Sequence, residues 1–366
     1  FELMNKVGVQ SSFEMAKGYQ SICLNVDEKS DWSIPDFFFK QAENDTPWDF
    51  SYVDTQINDG IATITINRPE AMNALNETVV NQLGIAVKAV NANESVHTIV
   101  LDGAGKAFVA GADVKFFVDK IRSDSIDDIV EFTSNGHKVL NSIENSPKVT
   151  IALTTGLALG GGLELALCCD YRIGTRRTQF RFPETSIGIY PGLGGSQRPA
   201  RISGIPLARW AVLGGNFMNA QTAYDIGLLT HLVDLADVDK TTNNCASNGK
   251  PSDKYSGKPA NADSNVVKFA TDFYRDENLS ILISGGCPDG YDAEDKTISR
   301  QLKNLKYTAP IALSMASELI NITANTTLEQ GLDSELAKLT DIFSTKDALE
   351  GLSALIEGRR ATYQNS

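Results

Sequence analysis

The sequence predicts an α/β protein, and three patterns support this prediction. Residues 61–67 alternate apolar and small polar side chains, as a half-buried strand does. Two further apolar runs, 97–103 and 149–153, end at glycine or lead into a turn that contains it, and a helical stretch over about 126–143 lies between them. This succession of strand, glycine loop and helix predicts an α/β domain whose loops gather at one edge of a sheet.

The other elements follow from local signals. Arg68 and Pro69 stop the first strand, because proline cannot donate a ladder hydrogen bond. Asn73 is predicted to cap a helix that runs through about Val90. Beyond Tyr307 the pattern is helical to the end of the chain, with Ala-rich and Leu-rich faces.

Two segments differ in composition from the rest. Residues 1–45 show no clear strand or helix period and end in the turn-rich run 43–47, which is typical of a linker. Residues from about 237 to 265 are rich in Thr, Asn, Ser, Lys, Gly and Pro, which predicts a poorly ordered surface segment. The chain opens on Phe1 without a methionine, which predicts a piece of a longer polypeptide.

The charge balance bears on the class of ligand. The chain has 366 residues, 33 Lys and Arg against 46 Asp and Glu, and a net charge of -13. A nucleic-acid groove needs a local excess of basic residues, so no nucleic-acid partner is predicted. Any polyanionic ligand must be met by local positive groups.

Cysteine and histidine usage predicts no metal site. The five cysteines are odd in number and the three histidines are scattered, without the spacing of metal ligands. Thiols that stay reduced are typical of the cytosol, and no run approaches the roughly 18 apolar residues that cross a bilayer. The sequence therefore predicts a cytoplasmic protein without a membrane partner.

The most informative stretch is Gly160-Gly161-Gly162, which leads into an apolar helix with Glu164 in its first turn. A helix N-terminus offers unpaired N–H groups, and glycines let a ligand oxygen approach the backbone closely. A developing negative charge could be held there. Alternatively, the glycines only allow tight helix packing and Glu164 only complements the helix dipole.

A second carboxylate, Glu184, lies in an aromatic, Pro and Ile setting that would desolvate it and raise its pKa, as suits proton transfer. It could equally be an exposed turn residue. A third loop, 106–115, has small residues after a strand and again suits close backbone approach. Together the loops and the two carboxylates would build an oxyanion site flanked by two acid/base groups.

These motifs resemble those of the crotonase (enoyl-CoA hydratase/isomerase) superfamily. The family patterns Arg-Pro-x-x-x-Asn-Ala-Leu, Ala-Phe-x-Ala-Gly-Ala-Asp and Gly-Gly-Gly-x-Glu stand here at 68–75, 107–113 and 160–164. The resemblance covers about 50–235 and 306–366. It implies the crotonase (ClpP/crotonase-like) fold, a spiral of ββα units with a C-terminal helical region.

The resemblance also implies the site. The backbone N–H groups of Ala112 and Gly161 would hold the thioester oxygen, Glu164 would activate water, and Glu184 would protonate Cα. The implied CoA-binding residues are Ala71, Met72, Ala110, Asp113, Val114, Arg360 and Tyr363. Arg360 and Tyr363 could instead belong to an amphipathic surface tail.

The implied activity is reversible syn hydration of a short trans-2-enoyl-CoA. No cofactor is implied, because the CoA thioester is itself the substrate. The presence of both carboxylates favours a hydratase over an isomerase, because isomerases of this family often keep only one of the two. A double-bond isomerase, a ring-opening oxoacyl-CoA hydrolase and a non-catalytic CoA-binding or RNA-binding module remain alternatives. Relatives assemble as trimers or as hexamers built of two trimers, so a homotrimer or hexamer is expected.

Two departures from the family pattern divide the chain into four parts. Residues 236–305 are an insertion between the crotonase core, 46–235, and the C-terminal helical region, 306–366. Residues 1–8 resemble an element of 3-hydroxyacyl-CoA dehydrogenases. Residues 1–45 are therefore predicted to be the end of such a domain with its linker, from a fused dehydrogenase/hydratase.

Overall fold

The structure is a computed structural model that describes residues 2–26, 33–45, 48 and 50–366. The chain divides into two compact units, Phe1–Ser51 and Tyr52–Ser366. No helix among the described residues is long and apolar enough to span a bilayer.

The first unit is helical. Its described helices are α1 (Glu2–Val7), α2 (Val9–Val26) and α3 (Asp36–Glu43). Phe13 and Phe38 pack edge to face in its core, at a centroid distance of 5.2 Å. The sequence shows no helical period in this segment because the buried residues are few and split between two helices. Phe1 of the dehydrogenase-like element and Thr46 and Pro47 of the predicted linker lie outside the described residues.

The second unit contains the strands of the described chain, arranged in two sheets. They are β1 (Val53–Asn58), β2 (Ile61–Ile66), β3 (Thr98–Gly103), β4 (Ala107–Ala110), β5 (Val149–Leu153), β6 (Leu157–Leu159), β7 (Tyr171–Gly174), β8 (Gln179–Arg181), β9 (Met218–Asn219) and β10 (His231–Leu232). One sheet has the order β1-β2-β3-β5-β7-β10 and the other has the order β4-β6-β8-β9. All neighbours are parallel except the pairs β1/β2 and β8/β9.

The second unit also contains helices. They are α4 (Glu77–Ala92), α5 (Val114–Arg122), α6 (Ile126–Glu144), α7 (Gly161–Cys168), α8 (Arg198–Ser203), α9 (Ile205–Val212), α10 (Ala220–Asp225), α11 (Val238–Asn248), α12 (Asn265–Phe273), α13 (Asp276–Ile283), α14 (Lys296–Lys306), α15 (Pro310–Asn321), α16 (Leu328–Ala337), α17 (Leu339–Phe343) and α18 (Lys346–Glu357).

The chain repeats one motif as it winds. It contributes a strand to the large sheet, then a strand to the small sheet, then a helix, as in β3-β4-α5 and β5-β6-α7. The predicted spiral of ββα units with a C-terminal helical region is confirmed. The three parallel strands of the small sheet end in register, with Ala110 opposite Leu159 and Leu159 opposite Arg181. The loops that follow them therefore meet at one edge.

The prediction that Asn73 caps α4 is wrong. Helix α4 is capped by Asn76, whose side chain accepts a hydrogen bond from the Val79 N–H. Asn73 is fully buried, and its amide donates to the carbonyls of Ala107 and Phe108. Its side chain thus ties the preceding turn to β4. Both asparagines lie just before the helix in the sequence. Only Asn76 caps it, because the Asn73 side chain is buried and bonded to β4.

The prediction that residues 237–265 form a poorly ordered surface segment is also wrong. Helix α11 occupies 238–248 and buries Cys245 against the large sheet. Further along, Lys254 donates to Glu144 at 3.0 Å and to the Cys168 carbonyl at 2.6 Å. A few buried residues and polar contacts with the core thus fix a segment of polar composition.

Candidate active site

The glycine triplet serves both close packing and the site. Gly160 has φ of 47°, and a Cβ there would lie 2.3 Å from Glu184 Oε1. A Cβ on Gly162 would lie 1.9 Å from the Val109 carbonyl oxygen of β4. Gly162 therefore lets α7 approach β4, while Gly160 leaves room for a carboxylate. The packing interpretation therefore holds at Gly162, while the approach of a ligand oxygen to these glycines stays a prediction.

Glu164 lies in the first turn of α7 and is 2% exposed. Its Oε1 accepts hydrogen bonds from the backbone N–H groups of Leu193 and Gly195, each at 2.7 Å. Burial raises the pKa of Glu164 to about 7, although these hydrogen bonds and the charge of Arg198 oppose the shift. The carboxyl group is therefore poised to exchange a proton near neutral pH.

Glu184 begins a 3₁₀ turn, Glu184–Ile187, just after β8, and is 6% exposed. Burial raises its pKa well above the ordinary value, and the charge of Glu164 raises it further. Its Oε2 has no hydrogen-bond partner among the described residues. Its surroundings therefore favour the protonated form, its Oε2 is unengaged, and the exposed-turn alternative is wrong.

Two backbone N–H groups lie at the same edge. Leu75 forms a bridge beside Ala112, in which the Leu75 N–H donates to the Gly111 carbonyl and the Asp113 N–H donates to the Leu75 carbonyl. Gly161 is the first residue of α7. Within the described part of the chain, the N–H groups of Ala112 and Gly161 have no acceptor. Both are free to bind a ligand oxygen.

One cavity of about 360 Å³ brings these groups together. Ala112, Gly161, Glu164 and Glu184 all line it. The rest of the lining is largely apolar and comes in part from α5, α6, α17 and α18, including Phe117, Phe132, Leu339, Phe343, Leu352 and Leu355. The C-terminal helices thus close one side of the cavity.

The predicted CoA-binding residues divide into three groups. Met72, which is 52% exposed, Ala110 and Val114 line the cavity. Ala71 and Asp113 do not line it, and the Asp113 carboxylate accepts from the Arg68 guanidinium at 3.3 Å.

Arg360 and Tyr363 line a neighbouring pocket of about 450 Å³. The Arg360 guanidinium lies 3.9 Å from the centroid of the Tyr307 ring, and the Tyr363 hydroxyl donates to the Ser186 carbonyl at 2.7 Å. Ser186 also lines the main cavity, so the two pockets adjoin.

Sequence reasoning missed Glu335 on α16, a fully buried acid whose carboxylate accepts from the Gly194 and Ser196 N–H groups. Leu332, three residues earlier on the same helix, and Leu339, the first residue of α17, are buried and apolar. An acid between apolar residues three positions before and four after it was the signal that could have identified it. Among the described residues, no cluster of His, Cys, Asp and Glu could hold a metal ion.

Comparisons with known proteins point to one family. A family model described as enoyl-CoA hydratase/isomerase matches residues 61–364. A crotonyl-CoA hydratase of Syntrophomonas wolfei is 39% identical over 206 residues, which are 55% of this chain and 78% of the relative. A probable enoyl-CoA hydratase of Rhizobium meliloti is 31% identical over 313 residues, covering 86% of this chain and 97% of the relative.

Solved structures share the fold. An enoyl-CoA hydratase from Rhodobacter sphaeroides superposes with a TM-score of 0.71 at 23% identity, covering 84% of this chain and 90% of that one. A carnitinyl-CoA dehydratase from Mycobacterium thermoresistibile gives a TM-score of 0.72 at 21% identity, covering 85% of this chain and 92% of that one. The chain belongs to the enoyl-CoA hydratase/isomerase family of the crotonase superfamily.

Proposed function

We propose that the protein catalyses the reversible syn addition of water to a short-chain trans-2-enoyl-CoA, giving a 3-hydroxyacyl-CoA. The observation that carries this proposal is the pair of buried carboxylates, Glu164 and Glu184, which line one largely apolar cavity together with two unengaged backbone N–H groups. A hydration needs a base for water and an acid for the carbon that gains a proton, and this pair supplies both.

The environments of the two carboxylates assign their roles. Glu164 takes a proton from water as the oxygen adds to Cβ, because two backbone hydrogen bonds favour its charged form. Glu184 gives a proton to Cα, because burial and the neighbouring charge of Glu164 raise its pKa and favour its protonated form. Environments that push two pKa values apart are the usual basis of such an assignment.

The N–H groups of Ala112 and Gly161 would bind the thioester oxygen as it gains negative charge. Hydrogen-bond donors that are already oriented towards this oxygen stabilise the enolate-like state without reorganisation. Loss of one such donor raises the activation free energy by about 3 kcal/mol. The water, the acid and the base account for every atom that moves. The proposed reaction therefore calls for no cofactor beyond the CoA of the substrate.

CoA is polyanionic, while the whole chain carries a net charge of -13. We place its pantetheine arm along Met72, Ala110 and Val114 and its phosphates towards Arg360, beside Tyr363. Ala71 and Asp113 are weaker candidates, since neither lines the cavity.

The names of two relatives support a short acyl chain. One is the crotonyl-CoA hydratase above, and the other is a short-chain-enoyl-CoA hydratase of Clostridium acetobutylicum, 35% identical over 188 residues. We also propose a cytoplasmic homotrimer or hexamer, on the resemblance and the composition alone.

The test is the ultraviolet absorbance of the enoyl thioester during incubation with crotonyl-CoA, with chromatography of the product. Conversion to 3-hydroxybutyryl-CoA supports a hydratase. If crotonyl-CoA is untouched while a 3-enoyl-CoA is converted to the 2-enoyl isomer, the protein is an isomerase. Hydrolytic opening of a ring oxoacyl-CoA to an open-chain carboxyacyl-CoA that keeps its thioester would indicate the hydrolase, and CoA binding without turnover would indicate a non-catalytic module.

We further propose that residues 1–45 end a 3-hydroxyacyl-CoA dehydrogenase domain fused to this one. The support is the resemblance of residues 1–8, together with the chemistry, since hydration yields the substrate of that enzyme. The family model begins at residue 61 and does not extend to this segment. Reading the coding DNA upstream of the Phe1 codon tests the proposal.

A further inference from the structure

Two buried glutamates share the loop Gly192–Ser196. The N–H groups of Leu193 and Gly195 donate to Glu164 Oε1, each at 2.7 Å. The N–H groups that alternate with them, of Gly194 and Ser196, donate to Glu335 at 2.7 and 3.1 Å. Four successive amides are thus held by two carboxylates from different helices, α7 and α16.

Glu335 uses both carboxylate oxygens in this contact. Oε2 accepts from the Gly194 N–H, while Oε1 accepts from the Ser196 N–H and, at 2.5 Å, from the Ser196 hydroxyl. The Glu335 backbone carbonyl accepts from the Tyr190 hydroxyl at 2.6 Å. The side chain is fully buried, and such a carboxyl group is stable only when its oxygens are hydrogen-bonded.

His137 does not replace these contacts with an ion pair. His137 Nε2 lies 3.8 Å from Glu335 Oε2, but this nitrogen makes a hydrogen bond of 2.6 Å with the Gly192 carbonyl. Burial lowers the pKa of His137 to about 4, so the ring is neutral at pH 7 and forms no ion pair. Burial, followed by the charge of Glu164, raises the pKa of Glu335 above its ordinary value, while the hydrogen bonds from Ser196 and the charge of Arg198 oppose the shift and favour the carboxylate.

Glu335 does not line the cavity, whereas Glu164 does. We propose that Glu335 is a positioning residue for the hydration: it holds the Gly194 and Ser196 amides and so fixes the loop whose other two amides orient Glu164. The inference rests on the proposed function, because it assigns to Glu335 a share in placing the base of that reaction.

Glu335→Gln tests it with little change of shape. The glutamine nitrogen cannot accept, so one of the two loop N–H groups loses its acceptor. We expect kcat on crotonyl-CoA to fall by about tenfold or more, the usual scale for a group that orients a reacting one, with KM within about twofold. Glu329→Gln, an exposed acid on the same helix, is the control and should keep the parent kcat.

A double-mutant cycle separates positioning from general destabilisation. If Glu335 acts through Glu164, adding Glu335→Gln to Glu164→Gln should change kcat by less than about twofold. A loss in the double variant equal to the product of the two single losses would overturn the proposal, and so would an unchanged kcat in Glu335→Gln.

Hydrogen exchange of the peptide that spans Gly192–Ser196 gives a readout that needs no turnover. Exchange should be about tenfold faster or more in Glu335→Gln, and unchanged in Glu329→Gln. If the parent does not hydrate crotonyl-CoA, the proposed function fails and this exchange still decides whether Glu335 holds the loop. Unchanged protection overturns the proposal.

If Glu335→Gln does not fold, Ser196→Ala takes its place in both measurements. It removes the hydroxyl that donates to Glu335 and accepts from the Gln197 side-chain amide, and it keeps the loop N–H groups. We expect kcat on crotonyl-CoA to fall and the exchange of the loop peptide to become faster, each by less than in Glu335→Gln. Parent kcat together with parent exchange in this variant would then overturn the proposal.

Discussion

The Glu184 carboxylate lies in the space that a side chain at position 160 would need. A Cβ on Gly160 would be 2.3 Å from Glu184 Oε1, and the Gly160 φ of 47° is one that side chains rarely adopt. The glycine loop that precedes α7, the helix that carries Glu164, therefore also leaves room for the Glu184 carboxylate.

Gly160→Ala should displace Glu184 and strain the backbone. We expect the hydration rate to fall by about a hundredfold, as misplacement of a reacting group by about 1 Å can do, and the free energy of unfolding to fall by about 1–3 kcal/mol. Gly290→Ala is the matched control, because Gly290 has φ of 85° with open space around it. The control should lose stability only. A Gly160→Ala protein with the parent rate would contradict this account of the site.

The rate of hydration should depend on pH in a bell-shaped way. Glu164 must be ionised, and its pKa is raised to about 7, so kcat/KM should rise as pH increases through about 7. Glu184 must be protonated, and burial together with the charge of Glu164 raises its pKa, so the rate should fall again at the higher pH where Glu184 loses its proton. The two midpoints belong to the coupled pair. An acid limb at the ordinary glutamate value of 4.5 would contradict the proposed environment of Glu164.

Glu144→Gln should destabilise the fold. Glu144 accepts from the buried Arg198 guanidinium at 2.7 Å and from Lys254 at 3.0 Å, so its loss leaves a buried charge unpaired. We expect the free energy of unfolding to fall by about 3–5 kcal/mol in urea at pH 7. The control Glu318→Gln removes an exposed pair with Lys338 and should cost less than about 1 kcal/mol. Equal losses would contradict the account.

The Glu144 contribution should also depend on pH. Although burial opposes the shift, the charges of Arg198 and Lys254 hold the pKa of folded Glu144 at about 2, below its ordinary value of 4.5. The stabilisation is therefore present above pH 4.5 and is lost as pH falls towards 2. The stability difference between the parent and Glu144→Gln should shrink over that window. A difference that stays constant from pH 7 to pH 3 would show that this carboxylate is not the origin of the effect.

Features that depend on residues close together in the chain could be predicted from the sequence. Ile61–Ile66 alternates along one strand, and Gly160 and Glu164 lie on one short stretch, so both were identifiable. Glu335 was missed because it contacts a loop 139 residues away in the chain, and no local period reports such a contact. The role of Asn73 was misjudged for the same reason, since its partners lie on β4.

The order of residues 237–265 also depends on distant contacts. Lys254 reaches Glu144 and the carbonyl of Cys168, and polar composition alone does not reveal such partners. The family resemblance predicted Arg360 and Tyr363 as CoA-binding residues, and the structure puts them in a pocket beside the main cavity. Long-range packing decided each of these positions.

The most direct test of the central claim is hydration of crotonyl-CoA by the parent protein and by Glu164→Gln and Glu184→Gln, compared at pH 7. We predict rapid loss of the enoyl-thioester absorbance with the parent and a loss of kcat of about a hundredfold or more in each variant. Thermal unfolding of all three proteins controls for folding. A parent that hydrates crotonyl-CoA while either variant keeps its full rate would contradict the acid/base pair.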